Sequence, residues 1–125
     1  MKFTLDRQEK YTAITLEEEK LDTTLAPDMK SELVNLHSDG VGSLIMNLKN
    51  VKYIDSSGLS ALLVANRLFK EKGSFVLCDV QEHVIKLIKI SQLDKIMDIT
   101  KTEEEAVDLV FMNTLEQGFS EEESK

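Results

Sequence analysis

Leu44-Ile45-Met46-Asn47-Leu48 is followed, after Lys49-Asn50, by Val51-Lys52-Tyr53-Ile54 and then directly by Asp55-Ser56-Ser57-Gly58. The first run is short and nearly all apolar, as a central strand buried on both faces should be. Beyond the tetrapeptide, Leu59, Leu62, Leu63 and Phe69 fall on one face of an expected helix. Two adjacent hydroxyls therefore stand where a strand hands over to a helix N-terminus. Such a terminus carries unpaired backbone N–H groups and the positive end of the helix dipole, so it tolerates phosphate.

Downstream, the helix is expected to end at the glycine of Lys70-Glu71-Lys72-Gly73, and Phe75-Val76-Leu77-Cys78 reads as the next buried strand. Gln81 to about Ser91 follows as a helix with Val84, Leu87 and Ile88 inward, and Ile96-Met97-Asp98-Ile99 as a short edge-like strand. Thr102-Glu103-Glu104-Glu105 is a capping box opening a last helix, with Ala106, Leu109, Val110 and Met112 or Asn113 on its core face. Upstream, Phe3 and Leu5 alternate with Thr4 and Asp6. After the polar turn Arg7-Gln8-Glu9-Lys10, Tyr11, Ala13 and Thr15 alternate with Thr12, Ile14 and Leu16. These two strands read as a hairpin ending near Glu17 or Glu18, the second strand covered on both faces. Leu21 to Pro27 leads into a first helix carrying Met29, Leu33 and Leu36, with Pro27 and Asp28 in its first turn and Gly40 at its exit.

From Leu44 onward strands and helices alternate, which implies right-handed crossovers and parallel central strands, while the leading hairpin makes the sheet mixed. The expectation is an α/β protein: one domain over residues 1–117, with a mixed, mostly parallel β-sheet of four to five strands and about four α-helices. Residues 118–125 are expected to be an acidic, disordered tail. Partner sites in such sheets collect beyond the carboxyl ends of the strands, where Asp55 to Gly58 lies.

A chain of 125 residues with net charge −8 repels nucleic acid and anionic membrane, which need clustered Lys and Arg, and favours a partner with a basic docking patch. The single cysteine, Cys78, forms no internal disulfide or thiolate metal site and reads as a small core hydrophobe. His37 and His83 read as surface residues at helix ends. No phosphate-cradling glycine-rich loop, Gly-x-Ser-x-Gly elbow or spaced metal-ligand set is present, so no catalytic residue, metal or cofactor is expected. The start lacks the apolar segment of a secretion signal and no apolar run approaches about 20 residues. The cytoplasm is the expected location, with no membrane insertion and no direct nucleic-acid contact.

Asp55-Ser56-Ser57-Gly58, followed by Leu59 at the end of a central strand, resembles the phosphorylation site of the STAS-domain family, the bacterial anti-sigma factor antagonists. The order of elements resembles that family's fold from Phe3 to about Leu115. The resemblance implies that Ser56 is the phosphoacceptor. It also implies that the unphosphorylated form binds an anti-sigma factor serine kinase and releases a sigma factor. That kinase inactivates the protein at Ser56, and a PP2C-type phosphatase restores it. Leu21-Asp22 matches the family's Gly-x-Leu-Asp segment, with Glu19 in place of the glycine. The implied partner-binding residues are Asp22, Asp55, Ser56, Ser57, Gly58 and Leu59. Asp55 shapes the turn and Ser57 is expected to cap the helix. Gly58 is expected to allow close backbone approach and leave room for a nucleotide-bearing partner, and Leu59 and Leu62 are core first.

Set beside this stands the plain structural reading: Ser and Asp are preferred caps, glycine is common in turns, and Asp22 is an ordinary carboxylate near a helix start. A second function is also compatible, a constitutive STAS interaction module serving as a subunit of a lipid-transport or signalling scaffold complex. A nucleotide-sensing role finds only one helix terminus to support it. The free form is expected to be a monomer or weak dimer, with Lys95, Asp98 and the last helix protecting the edge strand.

Overall fold

The computed structural model describes residues 1–123, with side-chain surroundings through residue 116. In chain order the elements are β1 (Phe3–Arg7), β2 (Thr12–Leu16), β3 (Lys20–Leu21), α1 (Ala26–Ser38), β4 (Leu44–Asn47), β5 (Tyr53–Ile54), α2 (Ser56–Lys70), β6 (Phe75–Cys78), α3 (Glu82–Ile90), β7 (Asp98–Ile99) and α4 (Glu103–Glu123). One five-stranded sheet has the order β1-β2-β4-β6-β7. β1 and β2 form the antiparallel hairpin, with Phe3 opposite Leu16. β2, β4, β6 and β7 are parallel, so that Leu44 stands between Thr12 and Phe75.

The alternation of side chains across this sheet explains why its central strands are apolar throughout. Ile14, Leu16, Leu44, Met46, Phe75 and Leu77 face the larger core, where they meet Met29, Leu33 and Leu36 of α1, Leu62 and Phe69 of α2, and Val84 and Ile88 of α3. Ala13, Ile45, Val76 and Cys78 face the other side, where Ala106 and Val110 of α4 cover them. Three helices therefore pack on one face and one on the other.

Helix ends follow the local chemistry. Pro27 sits in the first turn of α1, and Gly40 exits that helix at φ +97°, a conformation that suits a residue without Cβ. The Thr102 hydroxyl accepts from the Glu105 N–H at 3.1 Å, while the Glu105 carboxylate accepts from the Lys101 N–H at 3.3 Å. The capping box is thus displaced by one residue at its return bond.

Several expectations are corrected. β3 leaves no signal in the sequence, because two residues carry no readable period. β5 does not extend the main sheet; it pairs in parallel with β3, Leu21 opposite Ile54, as a separate two-stranded ladder. Leu59 and Leu63 lie half-buried at the edge of the α2 stripe, whose buried face is Gly58, Ala61, Leu62, Ala65, Asn66 and Phe69. Ile96 is exposed and precedes the edge strand, after a 3-10 turn at Leu93–Lys95. On α4, Met112 is exposed, whereas Asn113 turns inward and donates to Ser74 Oγ at 3.0 Å. α4 runs to Glu123, and the expected tail over residues 118–125 reaches beyond it to Ser124 and Lys125, which lie outside the described residues.

Candidate functional site

The β3–β5 ladder brings two distant loops together. The Glu19 carbonyl accepts from the Lys52 and Tyr53 N–H groups at 2.7 and 3.1 Å, and the Leu21 carbonyl accepts from the Asp55 N–H at 3.4 Å. Thr23, just past β3, thereby reaches the turn that opens α2.

Asp55 is the cap of that helix. Its backbone is extended, φ −113° and ψ −172°, and its Oδ1 accepts from the Gly58 N–H at 2.9 Å. Its Oδ2 accepts from both the N–H and the hydroxyl of Thr23, each at 3.2 Å. The Asp55 carbonyl takes the Leu59 N–H at 2.9 Å. The donors to its carboxylate, the Gly58 N–H foremost and then Thr23, hold the Asp55 carboxyl below its ordinary pKa. The expectation that Ser57 caps the helix is therefore corrected. The residue before the two serines has the extended backbone a cap needs, and its carboxylate reaches the third helical N–H.

Ser56, at the first helical position, is exposed, and among the described residues no side-chain hydrogen bond involves it. Ser57 is half-buried, and its Oγ lies 3.2 Å from Thr23 Oγ1. Gly58 is buried. A Cβ there would collide with the Leu21 carbonyl oxygen and lie 2.6 Å from Ile54 Cγ1. The close backbone approach expected at this glycine is made by this chain's own β3. Leu59 packs at the rim of the core.

Asp22 opens the loop before α1. Its Oδ1 accepts from the Thr24 N–H at 3.0 Å and the Thr24 hydroxyl at 2.6 Å, and its carbonyl accepts from the Leu25 and Ala26 N–H groups. The Thr24 hydroxyl is the main cause of a lowered Asp22 pKa, opposed in part by desolvation and, less, by the nearby charge of Asp55. Asp22, Asp55, Ser56 and Ser57 thus lie together beyond β3 and β5, with Gly58 buried beneath them and Leu59 at the rim of the core. Glu17, Glu18 and Glu19 border the loop, with Glu19 paired to Lys52 at 3.3 Å.

Thr23 is the member that the sequence reading missed. Its hydroxyl side chain beside Asp22 was a signal of loop chemistry, but its partners are 32 and 34 residues away and only the β3–β5 pairing brings them near.

Elsewhere Cys78 is buried, and burial pushes its thiol up to about 12. Among the described residues no group of three or more His, Cys, Asp or Glu side chains is placed to hold a metal ion, and no helix is long and apolar enough to cross a membrane.

Residues 2–106 match the STAS domain family, and the chain belongs to that family. It is 34% identical over 89 residues to an anti-sigma-B factor antagonist of Bacillus subtilis (strain 168), covering 70% of this chain and 81% of that one. Over 65 residues it is 38% identical to an anti-sigma F factor antagonist of Paenibacillus polymyxa, covering 51% of this chain. That match spans 56% of the Paenibacillus protein, a little over half its length. Among solved structures, the Bacillus cell fate determinant SpoIIAA in its phosphorylated form superposes with a TM-score of 0.66 at 26% identity, covering 87% of this chain and 99% of that one.

Proposed function

We propose that this protein is an anti-sigma factor antagonist switched by phosphorylation at Ser56. In the unphosphorylated state it binds an anti-sigma factor of the serine-kinase type and releases the sigma factor. The kinase modifies Ser56, and a PP2C-type phosphatase reverses the modification. On this reading the protein is a kinase substrate and not itself an enzyme, and it acts in the cytoplasm. The observation that carries the proposal is the contrast between the two serines: Ser56 is exposed and unheld, whereas Ser57 is half-buried and tied to Thr23.

The charge arithmetic supports a switch that acts by repulsion. Phosphorylation replaces a small neutral hydroxyl with about −1.5 to −2 charge and three strong acceptors. The positive end of the α2 dipole can bear this charge without unfolding, while Asp55 takes the Gly58 and Leu59 N–H groups and Ser56 itself is exposed. The phosphate therefore stays at the surface beside the Asp55 carboxylate. A partner surface shaped for a neutral serine then meets a dianion next to a carboxylate. Each loss of about 1.4 kcal/mol at such a contact lowers affinity tenfold. The border of Glu17, Glu18, Glu19 and Asp22 suits a basic patch on that partner.

The test is capture from native lysate with wild type, Ser56→Ala and Ser56→Asp as baits, with mass-spectrometric identification of partners and of phosphate on the wild-type bait. Wild type and Ser56→Ala are expected to retain an ATP-binding serine kinase, Ser56→Asp to lose it, and phosphate to map to Ser56. Equal retention of one non-kinase complex by all three baits, with Ser56 never modified, would replace the switch by the constitutive-module reading.

A further inference from the structure

Only one of the two adjacent serines at the head of α2 is free of its neighbours, and the residue responsible comes from another part of the chain. Thr23 Oγ1 has a single proton to donate. It lies 3.2 Å from Asp55 Oδ2, an ionised acceptor, and 3.2 Å from Ser57 Oγ. The stronger, charge-assisted bond takes the proton. Thr23 then accepts from Ser57, and the chain runs Ser57 hydroxyl to Thr23 hydroxyl to Asp55 carboxylate. The Thr23 N–H donates to the same Asp55 oxygen at 3.2 Å, so the threonine is held against the turn at two points. Asp55 in turn is anchored through its other oxygen on Gly58.

We propose that Thr23 is a positioning residue that directs phosphoryl transfer to Ser56 by holding the Ser57 hydroxyl against the loop between β3 and α1. The inference rests on the reading of this turn as a kinase substrate. In the transfer, a serine Oγ attacks the γ-phosphorus of a nucleoside triphosphate. The new Oγ–P bond forms as the bridging P–O bond breaks, the electron pair leaves with the nucleoside diphosphate, and the hydroxyl proton passes to a base on the kinase or to water. Attack needs an oxygen aligned opposite the leaving group. Ser56, exposed and unheld, meets that need as it stands. Ser57 meets it only after its bond to Thr23 breaks and its Oγ swings out from a half-buried site. Adjacent hydroxyls of nearly the same chemistry are thereby made unequal by a residue outside the tetrapeptide.

The experiment incubates the full-length protein with ATP and magnesium in native lysate and maps phosphate on Ser56 and Ser57 by mass spectrometry. Its substrates are wild type, Thr23→Val, Thr23→Ser and the double variant Thr23→Val/Ser56→Ala. Valine keeps the shape of threonine and removes the hydroxyl; serine keeps the hydroxyl. Wild type and Thr23→Ser are expected to carry phosphate on Ser56. In Thr23→Val the share on Ser57 is expected to rise by up to about tenfold, the ratio that one neutral hydrogen bond supports. The double variant is expected to accept phosphate on Ser57. A parallel carboxyl-carbon NMR titration is expected to show the Asp55 pKa rising in Thr23→Val and returning in Thr23→Ser, a response that altered loop packing alone does not give. Phosphate confined to Ser56 in Thr23→Val, or a Ser57 share that rises equally in Thr23→Ser, overturns the role of the Thr23 hydroxyl and leaves the switch standing. Phosphate on neither serine of the wild type overturns the switch, and the role of Thr23 with it.

Discussion

At Asp55 one carboxylate joins two pieces of structure: one oxygen closes the first turn of α2 and the other holds Thr23 of a different loop. The consequence for pH follows from the lowered pKa values of Asp55, caused first by the Gly58 N–H, and of Asp22, caused first by the Thr24 hydroxyl. The folded state holds these protons less tightly than the unfolded chain. Their stabilising contribution is therefore complete above the unfolded-state pKa, declines as pH falls, and is gone below the folded-state pKa. Urea midpoints followed from neutral pH to below the ordinary carboxylate pKa are expected to fall more steeply for wild type than for Asp55→Asn. Gly58, the donor of this carboxylate's cap bond, presents the opposite sensitivity, to added volume. Gly58→Ala forces a methyl against the Leu21 carbonyl and Ile54 and is expected to cost about 1–3 kcal/mol in urea denaturation, as overpacking does. Ser56→Asp changes an exposed site, so its thermal midpoint is expected to stay near wild type while partner retention is lost. A variant that unfolded would break that separation of fold from binding.

Among the elements, the two-residue strands β3 and β5 matter beyond their length. Leu21 and Ile54 are paired and buried, and they connect the loop before α1 to the head of α2. Leu21→Ala removes a fully buried side chain and is expected to cost about 2–5 kcal/mol in denaturant unfolding, the range for large-to-small core changes. It is also expected to weaken partner capture, because the loop carrying Asp22 and Thr23 loses its footing. At its other end α2 is pinned to the sheet edge: Asn66 and Lys70 donate to the Ile96 carbonyl at 3.3 and 2.8 Å, and Lys70 lies 3.7 Å from Asp98. Strand β6 offers an independent probe of sheet opening. Cys78 is buried with its thiol pushed up to about 12, so a thiol reagent at neutral pH is expected to react only as fast as the sheet unfolds. Rapid labelling of the native protein would contradict the burial of the α4 face.

For the whole molecule, the partition of helices between the two sheet faces leaves the carboxyl ends of the parallel strands free to present the serine turn. The net charge of −8, with Glu17, Glu18, Glu19, Asp22 and Asp55 near that turn, sets the character of association. Charge-steered encounters slow as salt screens them. The association rate with the captured kinase is expected to fall as ionic strength rises, with a smaller change in dissociation rate; stopped-flow or surface-binding kinetics across a salt series read both.

The main elements of the fold were legible along the chain, because burial imposes period and composition locally. Leu44 to Asn47 and Phe75 to Cys78 could be read as central strands from apolarity alone, and Met29, Leu33 and Leu36 from helical spacing. The serine turn was legible as a tetrapeptide in its strand-to-helix setting. Which residue caps the helix was not legible, since Asp and Ser are both good caps and only backbone geometry separates them. Nor were the β3–β5 ladder, the filling of the space at Gly58 by Leu21 and the bond from Thr23 to Ser57. Each depends on contacts between residues more than 30 positions apart. The sequence by itself determined the α/β order, the buried stripes and the presence of two candidate hydroxyls. The tertiary structure alone decided which hydroxyl stands free, because a hydrogen bond is settled by distance in space and not by position along the chain.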